Sequence, residues 1–154
     1  MLYEDDLKIY EDEFKKLKTN LESNEIDYLE YAYSISKMFI IDLYSLDNKL
    51  NKYDVGGLEF IYPDARDNYR LNVENTLYKY LKDNSDGDRK QELPLVKNVE
   101  VLEDDIVEFT IGEDKYDAYK INLTIEYEKD LKYDDSAELI IVKQDKYLYI
   151  VEKN

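Results

Sequence analysis

One carboxylate stands inside an apolar run, Met38-Phe39-Ile40-Ile41-Asp42-Leu43-Tyr44. Spacings of three and four from Ile35, Phe39 and Leu46 place Asp42 beside the buried stripe of a helix. A desolvated carboxylate in that position has a raised pKa and can act as a pocket acid or base. The plainer reading is a helix-edge carboxylate that reaches water or a tyrosine hydroxyl. The chain contains no histidine and no cysteine, so the commonest general base, the thiolate nucleophile and the zinc-thiolate site are all missing. No P-loop, GxSxG, HExxH or GxGxxG pattern occurs.

Three other groups of residues carry possible chemistry. Residues 82–93 superficially resemble a calcium loop around Gly87. In that register Lys82 and Leu93 fall where oxygen donors are required, so an EF-hand is rejected and a solvated loop is expected. The acids Glu103-Asp104-Asp105, Glu126/Glu128/Asp130 and Asp134-Asp135 could hold a hard cation or imitate phosphates as an acidic inhibitor mimicking nucleic acid. Lysines alternate with them, as in Glu126-Tyr127-Glu128-Lys129-Asp130-Leu131-Lys132, which fits ordinary strand faces and turns. Finally there are 17 tyrosines, whose rings can line a pocket or fill a core.

Net charge constrains partners. With 37 acids against 21 bases the chain carries −16, so nucleic acid and anionic membrane surfaces are repelled. The expected partner is another protein or a second copy, and no metal or cofactor is expected. The opening Met1-Leu2-Tyr3-Glu4-Asp5-Asp6 lacks the basic and apolar regions of a signal peptide. No run approaches the roughly 20 apolar residues of a membrane span, so direct membrane insertion is not expected.

The elements that must position these residues follow from apolar spacing. A single domain over residues 1–154 is expected, divided as an N-terminal helix (1–23), a helical layer (27–83) and an antiparallel sheet (95–152). Leu7, Tyr10, Phe14, Leu17 and Leu21 mark one face of the first helix. Asp27 caps a second helix over 27–48, with Glu30 in capping-box spacing. Asp54-Val55-Gly56-Gly57 is a turn, and residues 58–62 are ambiguous between helix and strand. A third helix over 68–82 buries Tyr69, Val73, Leu77 and Tyr80-Leu81. Near Leu95 the period changes to two, through Val99 and Val101, then Val107, Phe109 and Ile111, then Tyr119 to Tyr127, and finally 137–143 and 147–152. Turns are expected at Glu103-Asp104-Asp105, Gly112-Glu113-Asp114-Lys115, 130–135 and Gln144-Asp145-Lys146. The predicted fold class is α+β, with N-terminal helices on the apolar face of a curved antiparallel sheet whose other face is polar.

The order of these elements resembles the NTF2-like (cystatin-like) superfamily. The residues behind the resemblance are Tyr33-Ser34-Ile35-Ser36-Lys37-Met38-Phe39, Gly56 through Ala65, and Ile121-Asn122-Leu123-Thr124-Ile125-Glu126-Tyr127. The chain is most similar to extracytoplasmic modules of Gram-positive membrane-attached proteins, such as conjugation-channel scaffold proteins. The resemblance implies a cone-shaped sheet, and a cavity that Phe39, Asp42, Phe60, Tyr69, Val73, Leu77 and Tyr127 would line if open. It implies a non-catalytic interaction or scaffold domain, extracytoplasmic if an anchor precedes this stretch and cytoplasmic if the chain is complete. The alternative it leaves is a small-ligand-binding or isomerase/lyase-like domain with Asp42 in the pocket.

Overall fold

The computed structural model describes residues 7–154. The acidic stretch Met1 to Asp6, and with it the start of the expected N-terminal segment, lies outside the described residues. Three helices, α1 (Lys8–Leu21), α2 (Tyr28–Tyr44) and α3 (Arg66–Asn75), precede four strands, β1 (Val96–Ile111), β2 (Asp114–Tyr127), β3 (Ser136–Gln144) and β4 (Tyr147–Lys153). The strands form one antiparallel sheet in chain order, β1-β2-β3-β4, open rather than closed into a barrel. The fold is therefore α+β, with helices on one face of an antiparallel sheet.

Helix α2 is the centre of the core. Asp27 caps it, its carboxylate accepting from the Glu30 N–H at 3.1 Å. Phe39 and Ile40 have no exposed surface, because α1 packs on one side of α2 and the sheet on the other. Each such fully buried side chain contributes roughly 1.5–3 kcal/mol. The helix stops at Tyr44, short of residue 48, and Leu46–Asn48 tightens into a 3-10 turn. The buried Ser45 hydroxyl there accepts from the Val96 N–H at 3.3 Å and ties the helix end to the start of the sheet.

Helix α1 is rotated from its expected face. Phe14 and Leu21 are exposed, while Glu13 and Leu17 face inward. The rotation is stabilised by charge, since Glu13 lies 3.5 Å from Lys37 of α2 and 3.8 Å from Lys16. Asn20 fixes the α1–α2 corner by pairing with both the N–H and the carbonyl of Asp27.

Helix α3 ends at Asn75 instead of near residue 82. The Asn75 and Thr76 side chains donate back to the Leu71 and Asn72 carbonyls, a local alternative to continued helix. The turns that follow leave Tyr80 in solvent and carry Tyr78 inward to full burial. The ambiguous stretch resolves into a 3-10 turn at Leu58–Phe60. Ile61 then bridges Ile150 in parallel, and the Tyr62 N–H bonds the Ile150 carbonyl at 2.9 Å. This segment covers part of the outer edge of β4.

The largest departure is in β1. Glu103-Asp104-Asp105 makes no turn, and β1 runs unbroken through it. Val101 pairs with Leu123 and Glu103 with Asn122, so Leu102 is an extra residue, a β-bulge. One inserted residue reverses which side each later side chain faces. Val99 and Val101 point to the helices, whereas Val107 and Phe109 point to the opposite face. There they pack with Ile111, Tyr116 and Val151 around buried Ala118, Ile140 and Val142. The outer face is thus polar only toward the Glu100, Glu126 and Glu138 end, and carries a small second apolar cluster toward the β1–β2 turn. Among the described residues no helix is long and apolar enough to cross a membrane.

Candidate functional site

Asp42 leaves the last turns of α2 toward the 49–57 loop. Its carboxylate accepts from the Lys49 ammonium at 2.8 Å and from the Gly57 N–H at 2.7 Å. Lys49 also donates to the Asn48 side chain at 2.8 Å. The ammonium side is buried, 6% exposed, and the carboxylate side is 29% exposed. Below them Tyr78 donates to the Leu43 carbonyl at 2.6 Å and accepts from the Gly56 N–H at 3.3 Å. Glu59 sits nearby. The residue is exposed overall, yet desolvation pushes its carboxyl above the ordinary range; the Asp42 charge adds to this, while Lys49 and a hydrogen bond with Tyr10 oppose it. The arrangement clamps a double-glycine loop onto α2.

The clamp has an asymmetric energetic signature. Asp42→Asn keeps an acceptor for Gly57 but strips the buried ammonium of its counter-charge, and is expected to cost about 2–3 kcal/mol. Lys49→Met leaves a carboxylate that water reaches, and is expected to cost about 1 kcal/mol. Urea unfolding of the two variants measures the difference; equal and negligible losses would mean that the pair is solvated.

The other members of the suggested pocket lie in or against the core. Phe39 and Val73 are buried, and Phe60, Tyr69, Leu77 and Tyr127 are half-buried against the same cluster. The Phe39 and Tyr69 rings are 5.9 Å apart, tilted by 49°. Asp42 and Tyr127 sit in different settings: Asp42 is bound in the clamp, whereas Tyr127 faces the β2–β3 connection.

That connection forms a second constellation. The Tyr127 hydroxyl donates to the Asp134 carbonyl at 2.6 Å, and the Tyr44 hydroxyl donates to the Asp134 carboxylate at 3.0 Å. Lys153 lies 5.3 Å over the Tyr44 ring, and desolvation holds its ammonium below the usual range against the pull of Asp134. These contacts hold the 128–135 loop beside an open groove of about 610 Å³, with Tyr127, Tyr133, Asp130 and Lys132 among its walls. An adjoining groove of about 380 Å³ continues to Asn98 and Glu100 on β1. Ile125, Glu126, Asp135 and Ser136 line both. Such walls present carboxylate and carbonyl acceptors and suit cationic or hydrogen-bond-donating groups. Among the described residues no three carboxylates converge closely enough to hold a metal ion.

Beyond the grooves runs the outer edge of β1. Among the described residues no strand pairs with it. Leu102 is 65% exposed and Ile106 57% exposed along this edge strand. Tyr33 of α2 donates a hydrogen bond to Asp104, which holds the bulged segment to the helix layer. That bond raises the Tyr33 phenol to about 12, the proton being retained for Asp104.

No family model, curated protein or solved structure matches this chain. Its chemistry is therefore read from these residues. Sequence reasoning singled out Asp42 but not its partner Lys49, which lies past the helix end among other polar residues. It also placed a turn at Glu103-Asp104-Asp105, inside what is the continuous edge strand β1, because three consecutive acids suit a turn.

Proposed function

We propose that this chain is a non-catalytic protein-interaction domain of NTF2-like kind, the soluble extracytoplasmic part of a membrane-attached or secreted protein. The observation that carries the reading is the 16-residue edge strand β1, with its backbone edge open among the described residues and its Leu102 and Ile106 side chains in solvent. An open edge of that length is usually blunted, covered or used. The one conspicuous carboxylate, Asp42, is engaged in a loop clamp, which supports a role in stability rather than turnover.

A site-specific photo-crosslinker tests this. With p-benzoylphenylalanine at position 102 in the native full-length protein in cells, a discrete adduct with another polypeptide is expected. The same probe at Leu71, exposed on α3, is expected to give none. Equal labelling at both positions, or none at 102, would remove the interaction reading of this edge.

A further inference from the structure

We propose that the β1 edge takes up an extended, basic segment of a partner protein as an added strand, its cationic side chains seated against the acids of β1. This rests on the interaction reading and names its partner class. A free strand edge presents a row of backbone N–H and C=O groups, and an extended peptide satisfies them by pairing. Which peptide fits is decided by the side chains around that edge. Between Val96 and Ile111 stand five acids, Glu100, Glu103, Asp104, Asp105 and Glu108, against one base, Lys97.

Those charges choose between occupants. A second copy added through the same edge would set ten acids against two lysines across two neighbouring strands, and like charges placed opposite each other destabilise a sheet. A neutral or acidic strand gains nothing from the field. A strand with Lys or Arg at alternate positions meets the acids, and its intervening apolar residues can cover Leu102 and Ile106. The groove meets this edge at one end. Glu100 belongs both to β1 and to the groove wall, and from there the groove crosses the sheet inboard, past Glu126 on β2, opposite Asn98, to Asp135 beside Ile125. Glu126 already lies 3.9 Å from Lys97, so Glu100 is the groove acid that an added strand meets.

The bulge adds a geometric condition. Because Leu102 is an extra residue, Glu103 and Asp105 turn to the outer face while Asp104 turns to the helix side, where Tyr33 holds it. An added strand meets acids on both of its faces, so both alternate sets of its side chains are read near residues 103–105. This favours a segment with adjacent basic residues at its centre.

The test uses the full chain and a synthetic ten-residue peptide of alternating Lys and Val with a Lys-Lys pair at its centre. Three matched peptides accompany it: Glu in place of Lys, N-methylated at every backbone amide so that neither edge can pair, and scrambled so that the lysines cluster at one end. Binding is read by calorimetry and by amide hydrogen exchange. Binding of the Lys peptide is expected, with slowed exchange confined to β1 and an affinity that falls about tenfold or more between low and high salt. N-methylation keeps the charge but blocks pairing, and is expected to abolish the protection. Glu100→Lys combined with Glu103→Lys, two exposed positions, is expected to weaken binding by about tenfold while leaving the unfolding midpoint in place.

Undiminished binding of the N-methylated peptide would overturn strand addition and leave a charge contact only. Protection elsewhere than β1, or no binding of the Lys peptide at millimolar concentration, would overturn the site. Concentration-dependent dimerisation through β1 without peptide would replace the partner with a second copy. Each of these outcomes is separable from the crosslinking result. An adduct at position 102 with no peptide binding keeps the interaction domain and rejects the basic strand; peptide binding with no adduct in cells rejects the domain's proposed role.

Discussion

Gly56→Ala is expected to destabilise the fold by about 3 kcal/mol, near the upper end of overpacking costs. A β-carbon at Gly56 would sit 2.6 Å from the Asp42 carbonyl carbon and closer still to its oxygen, and 2.8 Å from the Asp42 carboxyl carbon. Two of those atoms are backbone of α2, so the side chain cannot simply swing away. The loop would have to lift, breaking the Gly57 bond to Asp42 and the Gly56 bond to Tyr78 together. Gly112→Ala is the comparison. Its φ is +62°, which a side chain tolerates poorly, but among the described residues nothing lies within 4 Å of the added carbon. Only the left-handed backbone cost of roughly 1 kcal/mol applies there. Urea denaturation of both variants measures the gap. A Gly56→Ala loss no larger than that of Gly112→Ala would show that the loop is not pressed against α2.

Alkaline unfolding should be abrupt. Burial holds the phenols of Tyr44, Tyr69, Tyr78 and Tyr127 well above their ordinary range; the Asp134 charge adds to the effect at Tyr44 and Tyr127, and Asp42 to that at Tyr78. In the unfolded chain the same groups ionise near pH 10. Above that pH the folded state binds more protons than the unfolded state, so stability falls as pH rises. It is intact below about pH 10 and is lost progressively toward the raised folded values. Each retained proton costs about 1.4 kcal/mol per pH unit, so four together cost about 5.6 kcal/mol per pH unit. A domain of ordinary stability, about 5–15 kcal/mol, then unfolds within roughly one to three pH units. Far-ultraviolet circular dichroism should collapse in one steep step, together with the part of the tyrosinate absorbance that these four rings contribute. A gradual titration of all 17 tyrosines with native dichroism retained would show that these four rings are reached by water.

Much of the architecture was readable because local pattern and tertiary demand agree. The Asp27 cap with Glu30, the apolar seam of α2 and the alternation from Tyr119 to Tyr127 each needed only neighbours in the chain. Disagreements arose where one local signal has two physical outcomes. Three consecutive acids suit a turn, but they equally suit a solvated edge strand, and a sheet neighbour decides which. Tyr80 and Tyr78 are both plausible inward residues on a helix. The side chains of Asn75 and Thr76 ended that helix early and selected Tyr78. Asp42 was recognisable as unusual, yet an acid and a clamp look alike until the position of Lys49 is known.

The order of helices and strands, the switch of period near Leu95 and the strong negative charge belong to the chain's local pattern, since each depends on spacing or simple addition. Which face Val107 and Phe109 occupy, whether Asp42 meets water or an ammonium, and which strand lies at the open edge depend on the fold. A single bulged residue at Leu102 reverses the facing of every later side chain in β1. No spacing rule foresees that residue, because the pairing of Val101 with Leu123 and Glu103 with Asn122 exists only once β2 is alongside.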